Sequence, residues 1–178
     1  ETMASAGISE TCIVIAPDKL DIPAHTGDGK RYGQRISYVI VEDSRNVPSS
    51  LDSAFFIARG REVALLFPDI VFEPRAALQE IKEQRRRDDA DMTLALVPAT
   101  SGEKIDIVTV LDSARVKRVV PKPGRDYTGW TWVAAIWNAE FTDFLDRRTG
   151  FHGCHMRGEF RVIFDLNAIA WKPSAHIK

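Results

Sequence analysis

The sequence predicts an α/β domain: a mostly parallel mixed sheet with helices on both faces and one small antiparallel hairpin. Three observations predict it. Up to residue 97, short apolar runs of strand length alternate with helix-patterned segments in a β-α-β-α-β rhythm. The run Val63-Ala-Leu-Leu-Phe67 is apolar throughout, as in a strand buried on both faces. After Pro98 the texture shifts to shorter strands joined by turn-like segments, with Asp112-Ser-Ala-Arg115 suited to a hairpin connection.

The elements follow in order. Residues 12–16 read as a buried strand stopped by Pro17, and residues 36–41 as a second strand, reached through the glycine turn at Gly27-Asp-Gly29. Residues 50–57 read as a helix, with Ser49 or Ser50 as its N-cap. The third strand spans 62–67. A helix over 74–86 starts on Pro74 and repeats Ala77, Leu78 and Ile81 at helical spacing. Strands are expected over 92–97, 105–111, 116–120 and 130–136. A short amphipathic helix covers 139–145, a loop 149–158, another helix 159–165 and a final strand 168–171. With no repeat, linker or low-complexity tract, residues 1–178 read as one domain.

Composition narrows the function. The chain has 178 residues, 44% hydrophobic and 28% charged, as in an ordinary globular domain. Its formal net charge of −1 gives no general basic field for nucleic acid or anionic membrane. No apolar run approaches the ~20 residues of a membrane span, and the N-terminus lacks a signal core. Two cysteines make no disulfide framework, so a reducing cytoplasm is the default.

Asp69 stands out. It follows Pro68 where the 62–67 strand ends, and open α/β sheets gather ligands at the carboxyl ends of their strands. A carboxylate among apolar residues there fits a magnesium ligand facing phosphate, or an Asp that begins the turn toward Pro74.

Several segments, in consistent order over about residues 3–147, resemble the sugar-1-phosphate nucleotidyltransferases of glucose-1-phosphate thymidylyltransferase type. They are the helix end, Ala-Gly-Ile turn and strand at Met3 to Ile15, the glycine turn at Gly27 to Gly33, and Leu66-Phe-Pro-Asp69. Lys122-Pro123 resembles the end of a Glu-Lys-Pro segment, and residues 133–136 the strand lining a sugar pocket. The resemblance implies a Rossmann-like nucleotide-diphospho-sugar transferase fold. It implies in-line attack of a sugar-1-phosphate oxygen on the α-phosphorus of a nucleoside triphosphate, with pyrophosphate leaving. Asp69 then matches a Mg²⁺ ligand and Lys122 the lysine on the sugar phosphate; Ser50, Asp106, Val133 and Ala135 match substrate-binding positions. A homo-oligomer stays open.

The departures imply an unusual branch. Val41 stands at the base-reading glutamine position, Ser50 at a glycine that admits the base, and Ile105-Asp106 at a Tyr-Gly pair. Pro121 replaces the glutamate before the lysine, and Ala135 a pocket glycine. The family's glycine-rich loop and second metal carboxylate would fall before Glu1 and beyond Lys178, so the domain is expected to be incomplete at both ends. These replacements support a second reading, a non-catalytic relative that binds a nucleotide or sugar nucleotide.

Other motifs carry less. Phe151-His-Gly-Cys-His155 lacks a second ligand pair for zinc. Asp89-Ala-Asp91 has the spelling of a glycosyltransferase metal motif but precedes a strand. Arg85-Arg-Arg87 reads as a solvated helix end, and Trp130, Trp132 and Trp137 as core or pocket wall, with sugar stacking as the functional alternative.

Overall fold

The computed structural model describes residues 2–43, 47–71, 73, 76–149 and 166–170. The 151–155 motif with Cys154, the 159–165 helix, Pro74 and Trp171 lie outside the described residues. In chain order the elements are α1 (Thr2–Ser5), β1 (Glu10–Ile15), α2 (Asp21–Thr26), β2 (Arg35–Ile40), α3 (Val47–Asp52), α4 (Phe55–Ala58) and β3 (Val63–Leu66). There follow α5 (Ala77–Arg87), β4 (Met92–Ala99), β5 (Ile107–Val110), β6 (Val116–Val120), β7 (Gly129–Trp137), α6 (Ala139–Thr149) and β8 (Leu166–Ala170).

The chain forms two compact units: Glu1–Arg61 with Phe72–Gln79 and Ala139–Phe160, and Glu62–Val71 with Glu80–Asn138 and Arg161–Lys178. In the first, β1 and β2 pair in parallel from Glu10↔Arg35 to Ile15↔Ile40. A parallel pair needs a long crossover, supplied here by α2 and the glycine turn. That turn is structural. Gly29 has φ +85, and a Cβ there would stand 2.5 Å from Ile36 Cγ1 and 2.9 Å from the Gln34 carbonyl oxygen. The helix expected over 50–57 is instead α3 and α4. The break follows Ser53, whose hydroxyl donates to the Ser50 carbonyl at 2.5 Å and competes with the helical ladder. Both short helices pack on α6.

The second unit holds a six-stranded sheet, β6-β5-β7-β4-β8, with β3 also paired to β7. The expected mostly parallel sheet is not what forms: β3–β7, β4–β7, β5–β6 and β5–β7 are antiparallel, and within this sheet β4–β8 is parallel. The cause is one insertion. β3 and β4, joined through α5, run the same way, but β7 lies between them and reaches its place from the β5–β6 hairpin without a helical crossover.

One irregularity in β7 matters. Ala95 opposes Ala134, yet Leu96 opposes Trp132, so Val133 is the extra residue of a β-bulge. Directly opposed residues share a face. The bulge therefore brings Trp137, Ala135, Trp132 and Trp130 to one face, with Met92, Leu94 and Leu96. The other face carries Thr93, Ala95, Ala134 and Ile136. Leu96 and Ile136 are each 1% exposed, so both faces are buried where β4 meets β7.

Candidate functional site

The strand register gathers three of the predicted residues of the second unit at one end of its sheet, while Val133 and Ala135 lie within β7. β7 starts at Gly129, opposite the last residue of β4, Ala99. The first residue of β5, Ile107, opposes the last of β6, Val120, and Val108 opposes Trp130. β3 ends at Leu66 opposite Ala134. The segments after β3, after β6 and before β5 therefore emerge together, and they carry Asp69, Lys122 and Asp106 respectively. Asp89 and Asp91 precede β4 and so lie at the sheet's other end. There Asp91 serves structure: its carboxylate accepts from Asn138 Nδ2 at 3.0 Å, and its carbonyl from the Asn138 N–H at 3.0 Å.

A tryptophan sits at the centre of the gathered end. The Trp132 indole N–H donates to Asp106 Oδ2 at 3.2 Å, and its ring lies 5.1 Å from that of Phe67 at 51°. Phe67 begins the turn that carries Asp69, so one half-buried ring touches that turn and is tied to Asp106. Sequence reasoning placed Trp132 in the core or a pocket wall but missed its bond to Asp106. The parity of the tryptophans held a clue to the bulge: 130 and 132 are even and 137 is odd, yet all three share a face.

Asp69 and Lys122 are both exposed, on short segments beyond the strands. The Ile70 N–H bonds back to the Phe67 carbonyl at 3.3 Å, closing a tight turn over Pro68-Asp69. Lys122 adopts φ +40 between two prolines, in a region that L-residues rarely enter. No ion pair joins Asp69 to Lys122. Among the described residues no group of three or more His, Cys, Asp or Glu could hold a metal by itself. Magnesium needs no such cage, because it commonly binds one or two carboxylates and takes its other ligands from phosphates and water. An exposed carboxylate such as Asp69 fits that requirement. Val133 is the bulged residue and half-buried, whereas Ala135 is 2% exposed, within the packed strand.

The first unit has its own cavity of about 190 Å³ at the carboxyl ends of β1 and β2. Val14, Ile15, Ala16, Val41, Glu42 and Ser50 line it. Its walls are mainly aliphatic, with one carboxylate and one hydroxyl. It is smaller than the roughly 300–1,000 Å³ of whole-ligand pockets. Val41 and Ser50 both line this cavity.

At the basic helix end, Arg85 departs from the expected solvated face. Its guanidinium donates to Glu62 Oε1 through Nε at 2.9 Å and Nη2 at 2.8 Å, and to the Ala90 carbonyl at 2.9 Å. Its side chain is 13% exposed. The half-buried Glu62 at the entry to β3 demands a cation, and Arg85 and Arg86 both supply one.

No family model and no curated protein match the chain. Solved structures do. A candidate glucose-1-phosphate thymidylyltransferase from Bacillus anthracis, in complex with a sucrose, superposes with TM-score 0.70 at 10% identity, over 80% of this chain and 58% of that one. HddC from Yersinia pseudotuberculosis, complexed with GMP-PN, gives 0.67 at 12%, over 94% and 72%. A UDP-glucose pyrophosphorylase complexed with UDP-glucose gives 0.65 at 14%, over 82% and 64%. The chain has the sugar-1-phosphate nucleotidyltransferase fold. It spans less than two thirds of the length of the first of these structures. In this nucleotidyltransferase fold the positions of Asp69, Asp106 and Lys122 share one end of the second unit's sheet. Among the described residues no helix is long and apolar enough to cross a membrane.

Proposed function

We propose that the chain belongs to a Mg²⁺-dependent nucleotidyltransferase that joins a nucleotidyl group from a nucleoside triphosphate to a sugar-1-phosphate and releases pyrophosphate. The observation that carries this reading is the convergence of an exposed carboxylate, Asp69, and an exposed ammonium, Lys122, at one end of the same sheet. The structural neighbours, which include complexes with a sugar, GMP-PN and UDP-glucose, support the reaction class. The reading takes both units as parts of one domain.

Phosphoryl chemistry of this kind asks the protein mainly to position groups and neutralise charge. Asp69 would hold the metal, which would supply Lewis-acid stabilisation of the negative charge developing on the phosphates. Lys122 would act as a point charge on the sugar phosphate, orienting its oxygen toward the α-phosphorus. Asp106 and Trp132 would form a polar and aromatic wall for the sugar, with Asp106 accepting from hydroxyls and Trp132 covering a ring face. Ser50 would offer its hydroxyl to a base in the aliphatic cavity, and Val41 there leaves the base unread by an amide.

The test is pyrophosphate release by the full-length protein from a panel of nucleoside triphosphates and hexose-1-phosphates with Mg²⁺. Turnover with one pair supports the reading. Nucleotide-sugar binding without turnover on any pair would favour the non-catalytic relative, for which the replaced positions Val41, Ser50, Pro121 and Ala135 speak.

A further inference from the structure

Two segments at the functional end of the six-stranded sheet are fastened together. Gly102 and Gly124 form an antiparallel bridge, the Gly124 N–H donating to the Gly102 carbonyl at 3.2 Å. Next to it the Arg125 guanidinium spans the Glu103 carboxylate, Nε to Oε2 at 3.2 Å and Nη2 to Oε1 at 3.2 Å. Gly102 fits so closely that a Cβ would stand 2.8 Å from Pro123 Cγ, 2.9 Å from Ile107 Cγ1 and 3.0 Å from the Gly124 carbonyl oxygen. Both fastenings hold the residues just after Pro121-Lys122-Pro123, where Lys122 has φ +40.

A non-glycine residue before proline does not rest in that conformation by local preference. It persists when surrounding contacts over-determine it, and such strain concentrates where a side chain must be aimed. The glycine bridge and the arginine fork supply those contacts. The fork also engages Arg125, two of whose N–H donors go to Glu103, while Lys122 in the same segment forms no ion pair among the described residues.

We infer that the Gly102–Gly124 bridge and the Glu103–Arg125 fork form a clasp that aims Lys122, making Glu103 and Arg125 positioning residues for the sugar phosphate. The inference rests on the reading of Lys122 as the phosphate-facing cation. The fork is open to solvent, its side chains 78% and 51% exposed, so its role lies in aim more than in stability.

The test is calorimetric titration of the full-length protein with glucose-1-phosphate and Mg²⁺, and with inorganic phosphate as a second probe. Lys122→Ala should weaken binding by about tenfold, the loss expected for a charge-assisted contact. Arg125→Glu should weaken it several-fold. The exchange Glu103→Arg with Arg125→Glu should restore it, and Gly102→Ala, which displaces Pro123 by another route, should weaken it. In the Lys122→Ala background, Arg125→Glu should cost nothing more, because the clasp acts through that lysine. Full additivity of the two changes, or wild-type affinity in Arg125→Glu while Lys122→Ala is weak, overturns the clasp and leaves Lys122 in its role. Unchanged affinity in Lys122→Ala, or no binding by the wild type, overturns the phosphate reading and the clasp with it.

Discussion

Asp69→Asn separates a functional carboxylate from a turn residue, because structure predicts opposite effects on activity and on folding. The substitution preserves shape and removes one negative charge. The Asp69 side chain is exposed and joined to no ammonium or guanidinium among the described residues, and the turn's bond from the Ile70 N–H to the Phe67 carbonyl is backbone only. A surface change of this kind alters stability by no more than about 0.5 kcal/mol. In a domain of this size that is a shift of about 2 °C or less in Tm. Activity should respond differently. A carboxylate that holds the metal against phosphate accounts for several kcal/mol of charge stabilisation, so kcat/KM should fall by roughly 10²–10³-fold. Pyrophosphate release over a Mg²⁺ series, with thermal melts on the same samples, reads both effects. Wild-type kcat/KM in the variant would refute the metal role. A drop in Tm of many degrees would show that Asp69 supports the turn.

Two further outcomes follow from the packing. Thr93 is 0% exposed and its hydroxyl has no hydrogen-bond partner among the described residues, so Thr93→Val should stabilise the protein by about 1 kcal/mol; a lower Tm by calorimetry would contradict this. Burial pushes the Glu62 carboxyl up, but hydrogen bonds and charge from Arg86 and Arg85 outweigh it and hold the group below the ordinary glutamate value of 4.5. A lowered folded pKa adds stability above the unfolded pKa, and that stability is lost as pH falls through the folded value. Glu62→Gln should therefore be less stable than wild type at pH 7, with the gap closing as pH falls below about 4.5. A gap independent of pH in thermal melts would show that Glu62 acts through packing.

Local chemistry was readable wherever it decided the outcome. Val116 to Val120 forms a strand at the expected bounds, and Asp69 follows its apolar strand into a turn as the Pro-Asp spelling suggests. Pairing direction was not readable, because it depends on β7 entering between β3 and β4, and apolar runs such as Val63 to Phe67 look alike beside a parallel or antiparallel neighbour. The bulge at Val133 and the bond from Trp132 to Asp106 depend on the same long-range register. Arg85 lies in a charge run that periodicity assigns to solvent, and its inward turn depends on Glu62, far away in sequence. At the candidate site, residue types singled out Asp69 and Lys122, while the Gly102–Gly124 bridge beside Lys122 brings together two glycines from separate turns, which no local pattern reveals.

Mn²⁺ substituted for Mg²⁺ tests the central claim most directly, since its paramagnetism broadens amide resonances near the bound ion. With glucose-1-phosphate present, the signals of Phe67 to Ile70 should broaden first, with Asp106 and Lys122 close behind. Broadening confined to Asp89 and Asp91, at the other end of β4, would contradict the account.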